Sequence, residues 1–87
     1  MKAEVYWYSG LEGGEPGKAH VKIPLIVGRG YYEGEMGMYK IYVSENGCTI
    51  SRNGCGYFLR NDREHPQLYT YRTCEESIWV SLEEGSE

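Results

Sequence analysis

Within six residues the chain places Arg60, Arg63, Glu64 and His65. These are the side-chain types a phosphodiester-cleaving site needs: a carboxylate base, an imidazole acid and guanidinium groups for the phosphate. Their spacing argues against that chemistry, because neighbours on an irregular segment point in different directions. The run Asn61-Asp62-Arg63-Glu64-His65 reads first as a solvated polar connection. The other histidine, His20, has nothing in sequence that brings it to His65. Cys48, Cys55 and Cys74 match neither paired CxxC knuckles nor a Cys/His zinc spacing, so no metal or cofactor is expected. Three cysteines cannot all pair within one chain; reduced, buried thiols are the first expectation and an intermolecular disulfide the second. No Gly-x-Ser-x-Gly elbow is present, and Gly28-Arg29-Gly30 lacks the Lys-Ser/Thr ending of a phosphate loop. A non-enzyme is expected, with a small ribonuclease as an alternative.

Two sets of residues suggest binding instead. Arg52, Arg60, Arg63 and Arg72 accompany Tyr57, Phe58, Tyr69 and Tyr71, the mixture of cations and rings used by single-strand nucleic-acid platforms. The formal net charge of −4 sets a long-range field against a polyanion, so nucleic acid is the weaker expectation. The second set is Arg29, Tyr31, Tyr32, Glu33, Glu35 and Met36, gathered in a Gly-rich stretch from Gly28 to Gly37. Tyr, Met and Arg are favoured at interface centres, where Tyr offers a large contact area with little rotamer entropy to lose. Tyr31 and Tyr32 are the expected anchors on an exposed loop, with Arg29, Glu33 and Glu35 setting orientation through charge. Tyr is also a good strand residue, and most of the nine tyrosines are expected to complete a core poor in aliphatics.

The elements that would position these residues are strands. Only sixteen of the 87 residues are Leu, Ile, Val or Phe, yet two Trp, nine Tyr and a modest net charge separate the chain from disordered compositions. Asn46-Gly47 and Asn53-Gly54 join three alternating segments between Met38 and Arg60, and Asn-Gly is the strongest short hairpin signal. With both dipeptides as two-residue turns, Val43 faces Ile50, Ile50 faces Tyr57 and Cys48 faces Leu59. Ile41, Val43, Cys48, Ile50, Tyr57 and Leu59 then share the buried side, and Lys40, Tyr42, Ser44, Thr49, Ser51 and Phe58 share the wetted side. Cys48 and Cys55 come out about 13 Å apart, too far for a disulfide.

Lys2 to Tyr8, His20 to Val27 and Leu68 to Thr73 alternate as strands, with Pro24 marking an edge or a bulge. Ser9 to Ala19 reads as a loop. The last segment carries two opposed signals. Thr73 with Glu76 makes a capping-box pattern, whereas Ile78, Val80 and Leu82 alternate as a strand does. Strand is preferred, because two β-branched residues and glutamates at the C-terminal end disfavour a helix.

The expectation is one all-β domain spanning 1–87, a small antiparallel barrel or sandwich of six to seven short strands around a central three-stranded meander, with an acidic frayed tail over 83–87. The alternative is an α+β fold with a short C-terminal helix at 74–84. No stretch is long and apolar enough to span a membrane, and three unpaired thiols suit a reducing cytoplasm. The expected function is non-catalytic binding of another protein or ribonucleoprotein, as an inhibitor or adaptor acting by occlusion. Compact acidic chains without motifs are common among phage and mobile-element inhibitors of the anti-CRISPR and anti-restriction kind. Alternatives are a single-stranded nucleic-acid module, a ligand-sequestering barrel and self-association.

Overall fold

The computed structural model describes residues 1–9 and 17–84. Among them there are nine strands and no helix: β1 (Lys2–Ser9), β2 (Gly17–Pro24), β3 (Ile26–Val27), β4 (Tyr31–Met36), β5 (Tyr39–Ser44), β6 (Gly47–Arg52), β7 (Cys55–Asn61), β8 (Leu68–Arg72) and β9 (Glu76–Glu83). They form one sheet in the order β2-β1-β9-β8-β7-β6-β5-β4-β3, antiparallel at every step. The two ends of that order, β2 and β3, are halves of a single stretch interrupted at Leu25, so the sheet bends round into a nearly closed up-and-down barrel. At the interruption the Leu25 N–H still donates to the Met1 carbonyl at 2.9 Å, one step beyond the Lys2–Pro24 pair of β1 and β2.

The strand over His20 to Val27 is therefore bent rather than straight, and Pro24 ends β2 on the sheet edge, where its missing N–H does no harm. Gly34 of β4 lies beneath this corner. A Cβ there would sit 2.3 Å from the Pro24 carbonyl oxygen and 3.0 Å from both Ile23 Cγ2 and Leu25 Cδ2. Absence of a side chain at Gly34 is what lets the corner seat against β4.

Alternation holds across the barrel. Ala3, Val5 and Trp7 of β1, Ile41 and Val43 of β5, Cys48 and Ile50 of β6, Leu59 of β7, and Ile78 and Val80 of β9 are buried in one core. The interior is packed with side chains, as small barrels of about eight strands are. The expected partition of the central meander holds: Lys40, Tyr42, Thr49 and Phe58 are exposed, while Ile41, Val43, Cys48, Ile50 and Leu59 are buried.

The second hairpin has the expected register, with Arg52 opposite Cys55, Ile50 opposite Tyr57 and Cys48 opposite Leu59. Its turn puts Asn53 at φ 53° and Gly54 at φ 88°. The first hairpin differs from the expectation. Val43 pairs with Cys48 and Ile41 with Ile50, so the turn is Glu45-Asn46 and Gly47 already belongs to β6. Ser44 Oγ accepts the Asn46 N–H at 3.2 Å, which closes this turn by side-chain chemistry. Gly47, at φ 142°, supplies the unusual backbone angle, and the Phe58 ring covers it closely enough that a Cβ would lie 2.7 Å from Phe58 Cζ. The slip is by two residues, so every side chain keeps its face.

Three further expectations are corrected. The Gly28 to Gly37 stretch is not a loop: β4 occupies most of it, paired with β5 and β3. The loop expected over Ser9 to Ala19 is strand at both ends, and residues 10–16 lie outside the described residues. The strand count is nine, above the expected six to seven. At the C-terminus the 74–84 helix gives way to β9, whose Glu83 pairs with Lys2, and residues 85–87 of the expected tail lie outside the described residues. The Thr73 pattern is still used. Thr73 Oγ1 accepts the Glu75 and Glu76 N–H groups at 3.1 and 2.9 Å, inside the β8–β9 turn.

Candidate functional site

The tyrosine-rich set expected to bind a partner divides between two faces because it lies on a strand. Tyr31, Glu33 and Glu35 point out of the barrel, opposite Ser44, Tyr42 and Lys40 of β5. Tyr32 and Met36 point in, opposite Val43 and Tyr39, and Tyr32 packs against the core. Arg29 is exposed in the turn before β4. The outward residues join others that sequence spacing did not single out. Ile26, Glu33, Tyr42, Thr49 and Phe58 are successive cross-strand partners from β3 to β7, forming one row across the outside of the sheet.

At about 4.8 Å per strand the row is about 19 Å long. Its large apolar members are open to solvent: Ile26 is 69%, Tyr42 45% and Phe58 53% exposed. Tyr31 stacks on Tyr42 with centroids 5.1 Å apart and planes 18° from parallel, which broadens the row. Beside it an open depression of about 400 Å³ is lined by Ile26, Glu33, Gly34, Glu35, Lys40 and Tyr42. We call this surface the β3–β7 face.

A second outward row crosses the other half of the sheet. Arg60, Thr70, Trp79, Tyr6 and His20 are successive cross-strand partners through β7, β8, β9, β1 and β2. Next to it run Arg72, Ser77, Tyr8 and Lys18. Trp79 and Tyr8 meet edge to face with centroids 5.8 Å apart, and Tyr6 stacks on His20 at 4.3 Å. Glu4, one row further along, takes a 2.7 Å hydrogen bond from His20 and one from the Tyr6 hydroxyl at 3.2 Å. The His20 bond is the main cause holding the Glu4 carboxyl below its ordinary value.

The expected nucleic-acid set does not assemble. Tyr57, Tyr69 and Tyr71 turn inward with the core, and Arg52 lies over the Trp7 and Tyr39 rings at 5.3 and 5.6 Å. At that end of the barrel Glu76 accepts hydrogen bonds from Trp7 Nε1 at 3.2 Å and the Tyr57 hydroxyl at 3.4 Å. Burial, then the Glu76 carboxylate, raises the Tyr57 pKa. This cluster closes the barrel end. Of the expected set, Phe58 reaches the β3–β7 face, and Arg60 and Arg72 reach the second row.

In the Arg60 to His65 group, Glu64 and His65 share one turn and line the same depression, and Arg60 stands apart from them. Arg60 sits on β7, while Asp62 holds the following turn by accepting the Glu64 and His65 N–H groups at 2.8 and 3.2 Å. The Glu64 N–H is the main cause that lowers the Asp62 pKa. His20 lies on β2, away from this turn. The three cysteines are free: Cys48 is buried, Cys55 and Cys74 exposed. Among the described residues no group of three His, Cys, Asp or Glu is arranged to hold a metal.

Fold and surface together define a small antiparallel β-barrel with a packed interior and two aromatic outer faces. No family model, no curated protein and no solved structure matches the chain.

Trp79 lies between Ile78 and Val80 in the alternation that marks β9 as a strand. The same alternation turns Trp79 outward. Ile26 falls on the outward side of the His20 to Val27 alternation, and its place beside Glu33 follows only from the pairing of β3 with β4.

Proposed function

We propose that the chain is a non-catalytic protein-binding module that uses the β3–β7 face to occupy and occlude another protein. The observation that carries this reading is the uncovered row Ile26, Glu33, Tyr42, Thr49 and Phe58, backed by the Tyr31–Tyr42 stack. Exposed Ile, Tyr and Phe side chains interleaved with Glu33 and Thr49 make the mixed apolar and polar surface that interfaces use, and rigid strand-borne rings lose little entropy when covered. Glu33 and Glu35 against Lys40 give the face a negative bias, so the fitting partner presents apolar side chains interspersed with Arg or Lys.

The test compares tagged wild type, Tyr42→Ala/Phe58→Ala and Tyr31→Ala as baits in lysate of the source cell, followed by affinity measurement with the captured protein. Both variants are expected to weaken binding at least about tenfold while retaining the β-sheet circular dichroism of the folded chain, as for loss of central aromatic contacts. Tyr32→Ala, on the inner side of the same strand, is expected instead to lower the thermal midpoint. A partner held equally by wild type and by the Tyr42→Ala/Phe58→Ala variant overturns the reading.

A further inference from the structure

We propose that the opposite outer face, formed by β8, β9, β1 and β2 with the end of β7, binds single-stranded nucleic acid. This surface is separate from the β3–β7 face and does not depend on it. The two rows Arg60-Thr70-Trp79-Tyr6-His20 and Arg72-Ser77-Tyr8-Lys18 place rings at the centre and cations at both ends. Arg60 and Arg72 stand on one side, Lys18 on the other, and all three are exposed. Neither row contains a carboxylate. Glu4, in the adjacent row, is already engaged by His20 and Tyr6, and Asp62, which lines a depression with Thr70, Arg72 and Trp79, accepts the Glu64 and His65 N–H groups.

Trp79 gives the most specific indication. It is 36% exposed between buried Ile78 and Val80, so the core gains little from its indole. Its contact with Tyr8 fixes the ring against the sheet and leaves a face for a base. A sheet carrying fixed rings between flanking cations is the arrangement by which unpaired bases are stacked and the phosphate chain is tracked. Duplex bases, already stacked on one another, cannot use the rings. Every base has a face that can stack on a ring, so recognition is tolerant of sequence.

The experiment is fluorescence anisotropy of the full chain with a labelled oligouridylate of about 12 nucleotides, within the length range of comparable platforms. Three phosphate contacts predict a log–log salt slope near −2, or about fifteenfold weaker binding between about 50 and about 200 mM salt. Trp79→Ala is expected to weaken binding at least about fivefold, with partial recovery in Trp79→Phe, as loss of one stacked base requires. Arg60→Glu/Arg72→Glu changes only exposed side chains and is expected to abolish binding even if Trp79→Ala fails to fold. Tyr42→Ala/Phe58→Ala is expected to bind the probe as wild type does. The proposal is overturned by no binding at the lowest salt, by equal binding of a duplex of the same length, or by salt-independent binding of a neutral oligosaccharide in its place. It is also overturned by undiminished binding in a folded Trp79→Ala chain.

Discussion

Replacing Gly34 by Ala tests how the barrel closes. The added Cβ would lie 2.3 Å from the Pro24 carbonyl oxygen, about 1 Å inside ordinary contact distance, and against Ile23 and Leu25 side chains. The oxygen is backbone, so relief requires the β2–β3 corner to move away from β4. Overpacking of this kind costs about 1–3 kcal/mol, and a backbone obstacle places it in the upper half. A Gly→Ala change also stiffens the unfolded chain, which favours folding by about 0.4–1 kcal/mol. Gly56→Ala isolates that contribution, since a Cβ at Gly56 meets nothing within 4 Å. The difference between the two variants is then about 2–3 kcal/mol, or about 10–20 °C in thermal midpoint for a domain of this size. Calorimetry reads the midpoints. Amide exchange gives a second readout, because the Leu25 N–H bonded to Met1 should lose protection before the central meander does. Gly34→Ala and Gly56→Ala melting within about 2 °C of each other would refute the tight corner as the element that seals the barrel.

Burial pushes the Cys48 thiol up to about 12, so in the native chain at pH 8 only exposed Cys55 and Cys74 should react promptly with an aromatic disulfide reagent, the third thiol titrating on unfolding. Three thiols reacting at one rate would contradict that burial. Glu4 and Asp62 have folded-state pKa values below the ordinary 4.5 and 3.8, so their ionised forms favour the fold. That stabilisation is complete above about pH 5 and is lost as pH falls through the lowered values, giving a thermal midpoint level from neutrality to about pH 5 and then falling. Glu4→Gln and Asp62→Asn should each flatten the acid limb, and superimposable limbs in wild type and both variants would refute the assignment.

The central meander was legible because Asn53-Gly54 and strict alternation both report local geometry. The first hairpin was legible in its faces but not in its register, since Ser44 and the Phe58 ring over Gly47 decide the turn, and the second of these comes from a strand eleven residues away. β4 was invisible for a related reason. Its inward middle position is Gly34, where an apolar residue would have revealed the period of two, and that glycine answers to Pro24 across the barrel. Once β4 is a strand, Tyr31 and Tyr32 can no longer act together, and the site follows cross-strand partners in place of chain neighbours. Tyr42 and Phe58 fall on the wetted side by alternation alone. Their alignment with Ile26 into one row required the pairing of five strands.

The net charge of −4 also conceals a division that only the barrel makes. Lys2, Lys18, Lys22, Lys40, Arg60 and Arg72 occupy outward strand positions, against Glu4, Glu33, Glu35 and Glu83. Most remaining described acids sit in turns or at strand ends, such as Glu45, Glu64, Glu75 and Glu84, or close the barrel end, as Glu76 does. The sheet surface is thus more basic than the chain. It is also uneven: the face of β8, β9, β1 and β2 with Arg60 carries five of those cations and two of the acids, while the β3–β7 face carries one and two. Charges more than about 8 Å away are largely screened at physiological salt, so a docking partner responds to the face it touches more than to the whole molecule. The two proposed partners, a polyanion and a basic protein surface, would accordingly choose opposite sides of the same barrel.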